Sequence, residues 1–183
     1  ECLNCDRFTD IKSELPEIQS LNNQVISEET AYQITSILEG AIKRGTGKKL
    51  KNLRLPLAGK TGTTNNNYDA WFIGYTSNLV IGVYVGYDNP RSLGKYETGA
   101  KAALPIFKKF IEDALYKDDF EQFKIPNGIY FAPINYNTGK EEDFTNKNVI
   151  VEAFKLKDIN KNKNKNLNML EGYDTLIKFR QFY

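Results

Sequence analysis

Between Leu57 and Tyr87 three strand-length runs alternate with two short polar breaks, and this pattern restricts the chain more than any other feature does. Leu57 to Thr64 is the first run, Asn65-Asn66-Asn67 the first turn, Ala70 to Thr76 the second run, Ser77-Asn78 a tight turn and Leu79 to Tyr87 the third run. Trp71, Phe72, Ile73, Tyr75, Val80, Ile81, Val83, Tyr84 and Val85 supply the β-branched and aromatic side chains that suit a pleated, half-buried surface. Turns this short can only return the chain alongside itself, so the expectation is a three-stranded antiparallel meander. Gly74, Gly82 and Gly86 are expected where a neighbouring element comes close.

Helical patterns flank the meander. Ser27 reads as an N-cap, Glu28 and Glu29 occupy a first turn, and Ala31, Ile34, Leu38, Ala41 and Ile42 recur on one face, which predicts a helix from about Glu28 to Arg44. After Asp88-Asn89-Pro90, apolar Ala103, Leu104, Ile106, Phe107, Phe110, Ile111, Ala114 and Leu115 predict a second helix over about Lys101 to Leu115. Pro105 must then lie in its first turn, because deeper in it would remove a hydrogen bond. Helices packed on an antiparallel sheet make the fold class α+β.

The remaining segments differ in character. Residues 1–26 show no period and read as a linker or the end of a preceding element. Residues 27–117 hold the helix, meander and helix. Residues 118–159 read as a small, mostly β extension, with strands at Gly128 to Ile134 and Asn148 to Phe154 and a turn at Asn137-Thr138-Gly139. From Asn160 to Asn168 Lys and Asn alternate, a composition that buries too little to order itself, so residues 160–183 are expected to form a flexible tail.

Composition removes several chemistries. Among 183 residues there is no histidine, which excludes the Ser-His-Asp and Cys-His nucleophile systems and every His-containing zinc site. Cys2 and Cys5 form one C-x-x-C pair, half of a zinc site, and only one residue precedes it where a redox motif needs a strand. A disulfide-capable structural pair is the expectation; no metal and no cofactor is implied. With 25 Lys+Arg against 23 Asp+Glu the charge is balanced, so a nucleic-acid partner has no support. One basic run, Lys43 to Arg54, contains six cations and no acid, and reads as a solvated loop. The longest apolar stretch, Leu79 to Tyr87, falls far short of the ~20 residues that span a membrane. The chain starts at Glu1 rather than Met and reads as a piece of a longer polypeptide.

Candidate chemistry centres on Lys60-Thr61-Gly62-Thr63 in the first strand. An edge strand offers unpaired N–H and C=O groups on which an extended peptide can be laid. Gly62 would leave that approach open. The Thr61 and Thr63 hydroxyls can donate to a substrate carboxylate, the Thr63 N–H can join an oxyanion hole, and Lys60 can stabilise a deprotonated nucleophile. Equally, Lys60 could be a charge that guards an exposed edge, and the threonines could simply suit a strand.

The segment LAGKTGTTNNNYDAWFIGYTSNLVIGVYVGYDNP resembles the third-motif region of the penicillin-recognising acyl-serine transferases, in particular class A penicillin-binding proteins of the 1A type. QVISEETAYQITSILEGAIKRGTG resembles the helix and basic turn before that motif, GAKAALPIFKKFIEDAL the closing helix, and PNGIYFAPINYNTGKEEDFTNKNVIVEAFK the extension after the transpeptidase fold. The resemblance runs from about Gln24 to Phe154. It implies a multifunctional cell-wall synthase: a membrane anchor and a peptidoglycan glycosyltransferase, followed by a DD-transpeptidase on the periplasmic side of the inner membrane. Such an enzyme cross-links stem peptides through an acyl-serine, is acylated by β-lactams, and so bears on cell shape and antibiotic resistance. Only the third motif carries over. By the resemblance Lys60 supports the upstream serine, Thr61, Gly62 and Thr63 hold the substrate carboxylate, and Thr63 completes the oxyanion hole.

The nucleophile is expected outside this chain, in an upstream part of the same polypeptide that also brings the membrane anchor. Ser92-Leu93-Gly94-Lys95 spells S-x-x-K but follows K-T-G in a loop, and Ser20-Leu21-Asn22 spells S-x-N too close to K-T-G, so both read as coincidences. The isolated chain is therefore expected to be inactive. An alternative is a non-catalytic remnant or interaction module that binds a peptide through its exposed strand. A serine β-lactamase or carboxypeptidase shares K-T-G but does not resemble residues 118–154. Under the enzyme reading, the basic run Lys43 to Arg54 would favour anionic cell-wall strands or headgroups, and an oxidising compartment would suit a Cys2–Cys5 pair.

Overall fold

The computed structural model describes residues 2–3, 17–18, 23–115 and 120–159. Cys5, the side chain of Cys2, Ser20-Leu21-Asn22 and the 160–183 tail lie outside the described residues, and the expectations placed on them with them. Two short strands, β1 (Cys2–Leu3) and β2 (Glu17–Ile18), pair antiparallel within the stretch read as a linker.

Helix α1 spans Glu28–Lys43, with Arg44 at its C-cap. The Ser27 hydroxyl accepts from the Thr30 N–H at 3.4 Å, while Glu28 and Glu29 in the first turn and Lys43 in the last complement the helix dipole. Its buried face differs from the expected one. Tyr32 and Ile42 are buried, whereas Ala31 is exposed and Ile34 and Ile37 remain 50% and 57% exposed. The period was legible, but the helix carries two apolar stripes, and only the neighbours decide which is covered.

Three strands follow, β3 (Ala58–Thr63), β4 (Ala70–Tyr75) and β5 (Val80–Val85), in the order β3-β4-β5 and antiparallel throughout. At the β3–β4 turn Asn66 and Asn67 hold φ of 60° and 55°, a left-handed conformation that asparagine tolerates. The β4–β5 turn is closed by the Thr76 N–H donating to the Leu79 carbonyl at 2.9 Å. Ala70, Phe72, Ile81, Val83 and Val85 turn to one face, which is covered by Leu104, Phe107 and Ile111 of α2 (Leu104–Ala114). Gly74 makes room there, since a Cβ would lie 2.7 Å from the Phe107 ring. Gly82 faces open space instead, so its expected close contact is absent. Strand β5 still tolerates it, because that side of the sheet is uncovered at β5, where Val80 is 71% exposed.

Helical structure begins earlier than the apolar spacing indicated, although α2 itself starts only at Leu104. A π-helical turn, Gly99–Ala103, leads directly into it, with Pro105 in the first turn of the α-helix. The basic run is likewise more than a loop: Lys48–Leu53 forms a 3-10 helix that buries Leu50 against the sheet-α2 core.

The final pair, β6 (Ile129–Asn135) and β7 (Val149–Lys155), forms an antiparallel ladder one residue later than predicted at both starts, followed by the short α3 (Leu156–Ile159). Gly128 takes φ of 86° in the preceding turn, which excludes it from the strand. The hairpin packs on α1: Tyr32, Ala58, Phe123 and Ala153 share a core, Gln33 donates to the Ala153 carbonyl at 3.1 Å, and Arg44 pairs with Glu152 at 2.9 Å.

Burial raises the Glu152 carboxyl above its ordinary range, and Arg44 and Lys43 offset this only in part. A carboxyl raised on folding opposes folding once ionised, and that opposition fades as pH falls through the folded value. Glu152→Gln is therefore expected to be at least as stable as the parent at neutral pH, with the Tm difference shrinking toward acid. A variant less stable at pH 7 and more stable in acid would reverse the sign.

Candidate active site

The register of β3 on β4 determines which backbone groups of the K-T-G strand are free. Thr63 pairs with Ala70, Gly62 with Trp71, Thr61 with Phe72 and Lys60 with Ile73. Just beyond the ladder the Thr64 N–H donates to the Asp69 carbonyl at 3.1 Å, which marks Thr64–Asp69 as a hydrogen-bonded position. Opposed pairs in an antiparallel ladder alternate between bonded and non-bonded, so Gly62 and Lys60 bond to β4. The N–H and C=O of Thr61 and Thr63 then point away from the sheet. The other side of β4 agrees: the Thr76–Leu79 bond directs the even-numbered residues of β4 toward β5, leaving its odd-numbered residues for β3. Among the described residues β3 is an edge strand, so nothing in the sheet takes up these outward groups.

Alternation also separates the side chains. Lys60 and Gly62 share the face of Ala58, which touches α1, while Thr61 and Thr63 share the face of Phe72, which touches α2. Exposed Lys60 bends back over the edge, its Nζ donating to the Thr61 carbonyl at 3.0 Å and to Thr61 Oγ1 at 3.3 Å. The first of these contacts is what an outward carbonyl makes possible. The ammonium thus covers one of the outward acceptors of the edge.

Both threonine hydroxyls are held from outside the strand. Thr61 Oγ1 lies 2.9 Å from Thr46 Oγ1, in the turn after α1, and Thr63 Oγ1 accepts from the Gly99 N–H at 3.0 Å. Gly62, expected to keep the approach open, has a further reason to be glycine: a Cβ there would lie 3.2 Å from the Trp71 Cβ.

A polar strap fixes the C-terminal end of β3. Asp69 Oδ1 accepts from the Tyr84 hydroxyl at 2.9 Å and Oδ2 from the Thr64 hydroxyl at 3.2 Å. The bond to Asp69 holds the Tyr84 phenol above its ordinary value, with burial adding to it, so Tyr84 remains a donor. The Asn67 side chain donates to the Gly94 and Lys95 carbonyls at 2.9 and 3.0 Å, and the Leu93 N–H returns to the Asn67 carbonyl at 2.8 Å. Ser92 belongs to this strap. Its hydroxyl donates to the Asn66 carbonyl at 2.8 Å, and the Lys95 ammonium sits 5.6 Å over the Tyr96 ring. Neither is arranged as a helical nucleophile and its base.

Thr46, Gly99 and the Asp69–Tyr84 pair were not singled out from the sequence. The available signal was small residues beside hydroxyls, Gly45-Thr46-Gly47 and Thr98-Gly99-Ala100, which mark close backbone approach without naming its partner. Among the described residues no cluster of His, Cys, Asp and Glu could hold a metal, and no helix is long and apolar enough to cross a membrane.

Known proteins are similar to this chain in sequence and in fold. The penicillin-binding protein transpeptidase domain matches residues 11–112. Penicillin-binding protein 1A of Rickettsia felis is 42% identical over 96% of this chain, and that of Pseudomonas aeruginosa 41% identical over 74%. The chain spans about a fifth of the Rickettsia protein, 21% of its length. The crystal structure of penicillin-binding protein 1A from Haemophilus influenzae superposes with a TM-score of 0.62 at 34% identity, covering 71% of this chain and 20% of that one. An α+β unit whose K-T-G strand lies at a sheet edge, aligned by sequence and by shape to these proteins, places the chain in the penicillin-binding protein transpeptidase family.

Proposed function

We propose that this chain forms one wall of a DD-transpeptidase cleft in a periplasm-facing, membrane-anchored peptidoglycan synthase that also carries a glycosyltransferase. The observation that carries the reading is the outward orientation of the Thr61 and Thr63 backbone groups on an edge strand whose hydroxyls lie beside them. An acyl-donor stem peptide, or a β-lactam in its place, lies along β3 as an added strand. Its terminal carboxylate receives the Thr61 and Thr63 hydroxyls. Its reacting carbonyl meets the Thr63 N–H, which stabilises charge as the tetrahedral intermediate forms. Lys60 leaves the Thr61 carbonyl when the donor arrives and contributes positive charge beside the attacking serine, whose hydroxyl adds to the carbonyl while a base elsewhere in the polypeptide takes its proton.

Labelled penicillin tests this. Residues 1–183 alone are expected to remain unlabelled, while the polypeptide extended upstream through its S-x-x-K helix is expected to form a stable serine ester. Labelling of the 1–183 chain itself would overturn the assignment of an upstream nucleophile and direct attention to Ser92.

A further inference from the structure

Thr63 is held by a donor that cannot reverse its role. A contact between two hydroxyls, such as Thr46 with Thr61, can run in either direction, but a backbone N–H only donates. With the Gly99 N–H at 3.0 Å occupying a lone pair of Thr63 Oγ1, the hydroxyl proton must point elsewhere, and Thr63 is exposed on the edge strand β3.

Gly99 can reach this position only without a side chain. It is buried, and a Cβ would collide with the backbone oxygens of Trp71 and Gly62 and approach the Gly62 nitrogen at 3.1 Å. The residue therefore lies directly on the β3–β4 pair at the K-T-G glycine. The π-helical turn Gly99–Ala103 continues into α2, whose Phe107 is buried against the sheet, so the N–H is fixed to the domain core rather than to a loose loop. A π-helical turn is a rare local geometry that recurs at functional sites.

From this we infer that Gly99 is a positioning residue: its N–H fixes the Thr63 hydroxyl as a donor aimed at the carboxylate of the acyl donor, and so sets the preference for acidic over neutral donors. This rests on the proposed role of β3 in carboxylate binding. A plainer role exists, because the first N–H groups of any helix need acceptors and Thr63 would serve as a cap. The two roles differ in what they change. A cap supports stability and acts equally on every substrate, whereas a fixed donor acts only on substrates that carry the carboxylate.

The test uses the full polypeptide and two probes, a fluorescent penicillin with its free carboxylate and the methyl ester of the same compound. Wild type is expected to react faster with the acid. Gly99→Ala, which displaces the N–H, is expected to lower the acid rate by ~10- to 100-fold, the scale of one hydrogen bond to a charged group, with the ester rate changed by less than about 3-fold. Replacing the Gly99 amide by an ester, with glycolate for glycine, removes the N–H without adding a Cβ and decides the matter if Gly99→Ala does not fold. Thr63→Ser should keep the acid preference. Acid and ester rates that fall together, or an acid preference intact without the Gly99 N–H, overturn the proposal. A wild-type polypeptide that labels equally with both probes overturns the carboxylate-binding reading itself, and the inference with it.

Discussion

Replacing Lys60 by alanine in the full polypeptide is expected to slow acylation by a labelled penicillin ~100- to 1,000-fold, the range seen when one preorganised electrostatic group is removed from an active site. Its Tm should change little. Lys60 is exposed, and its described contacts are confined to the carbonyl and hydroxyl of its own neighbour, Thr61, so its loss opens no cavity and leaves no buried group without a partner. Surface changes of this kind cost within about 0.5 kcal/mol. Lys60→Arg should be intermediate, because it keeps the charge but presents a planar fork instead of a compact ammonium. An unchanged acylation rate in Lys60→Ala would make the lysine an edge-guarding charge and nothing more, and a matching fall in Tm would make it structural.

Much of this arrangement is visible in the sequence because it is local. Ser27 caps the helix whose first turn it precedes, and the Asn65-Asn66-Asn67 and Ser77-Asn78 breaks lie within the hairpins they close. Which edge of β3 is open is also nearly local: once the turn places Thr64 opposite Asp69, alternation orients each peptide group back to Lys60. What escaped the sequence depends on neighbours distant along the chain. The stripe of α1 that is buried depends on Phe123 and Ala153, some hundred residues later, and no period within the helix can say that Ile34 stays exposed. The latch on Thr63 likewise joins residues 36 apart through a glycine that no pattern distinguishes from Gly82, where an added Cβ would meet nothing. The basic run illustrates a third cause. Its charges are conspicuous, and they mask Leu50, which is buried in the core, and Leu53, which packs against it.

The largest stability effect is expected at Phe72. Its side chain is fully buried, it stacks edge-on with Phe107 at 4.7 Å between ring centres, and it lies opposite Thr61 in the β3–β4 register. Phe72→Ala should cost about 3–5 kcal/mol, combining lost transfer energy with the cavity left under the sheet. Against a total of about 5–15 kcal/mol for a domain, that loss should appear as a large drop in Tm and a sharp rise in protease sensitivity of the transpeptidase unit. The ring of Phe107 already fills the space Gly74 leaves, so it cannot move far to close the gap. Phe107→Ala removes the same contact from the other side, and the double variant should therefore cost less than the sum of the two single changes. Because Thr61 sits directly across from Phe72, the acylation rate should fall together with Tm, in contrast to Lys60→Ala, where only the rate falls. A Phe72→Ala protein within about 1 kcal/mol of the parent would mean that the sheet and α2 are held by something other than this ring pair, such as the strap at the far end of β4, where Asp69 joins Thr64 to Tyr84.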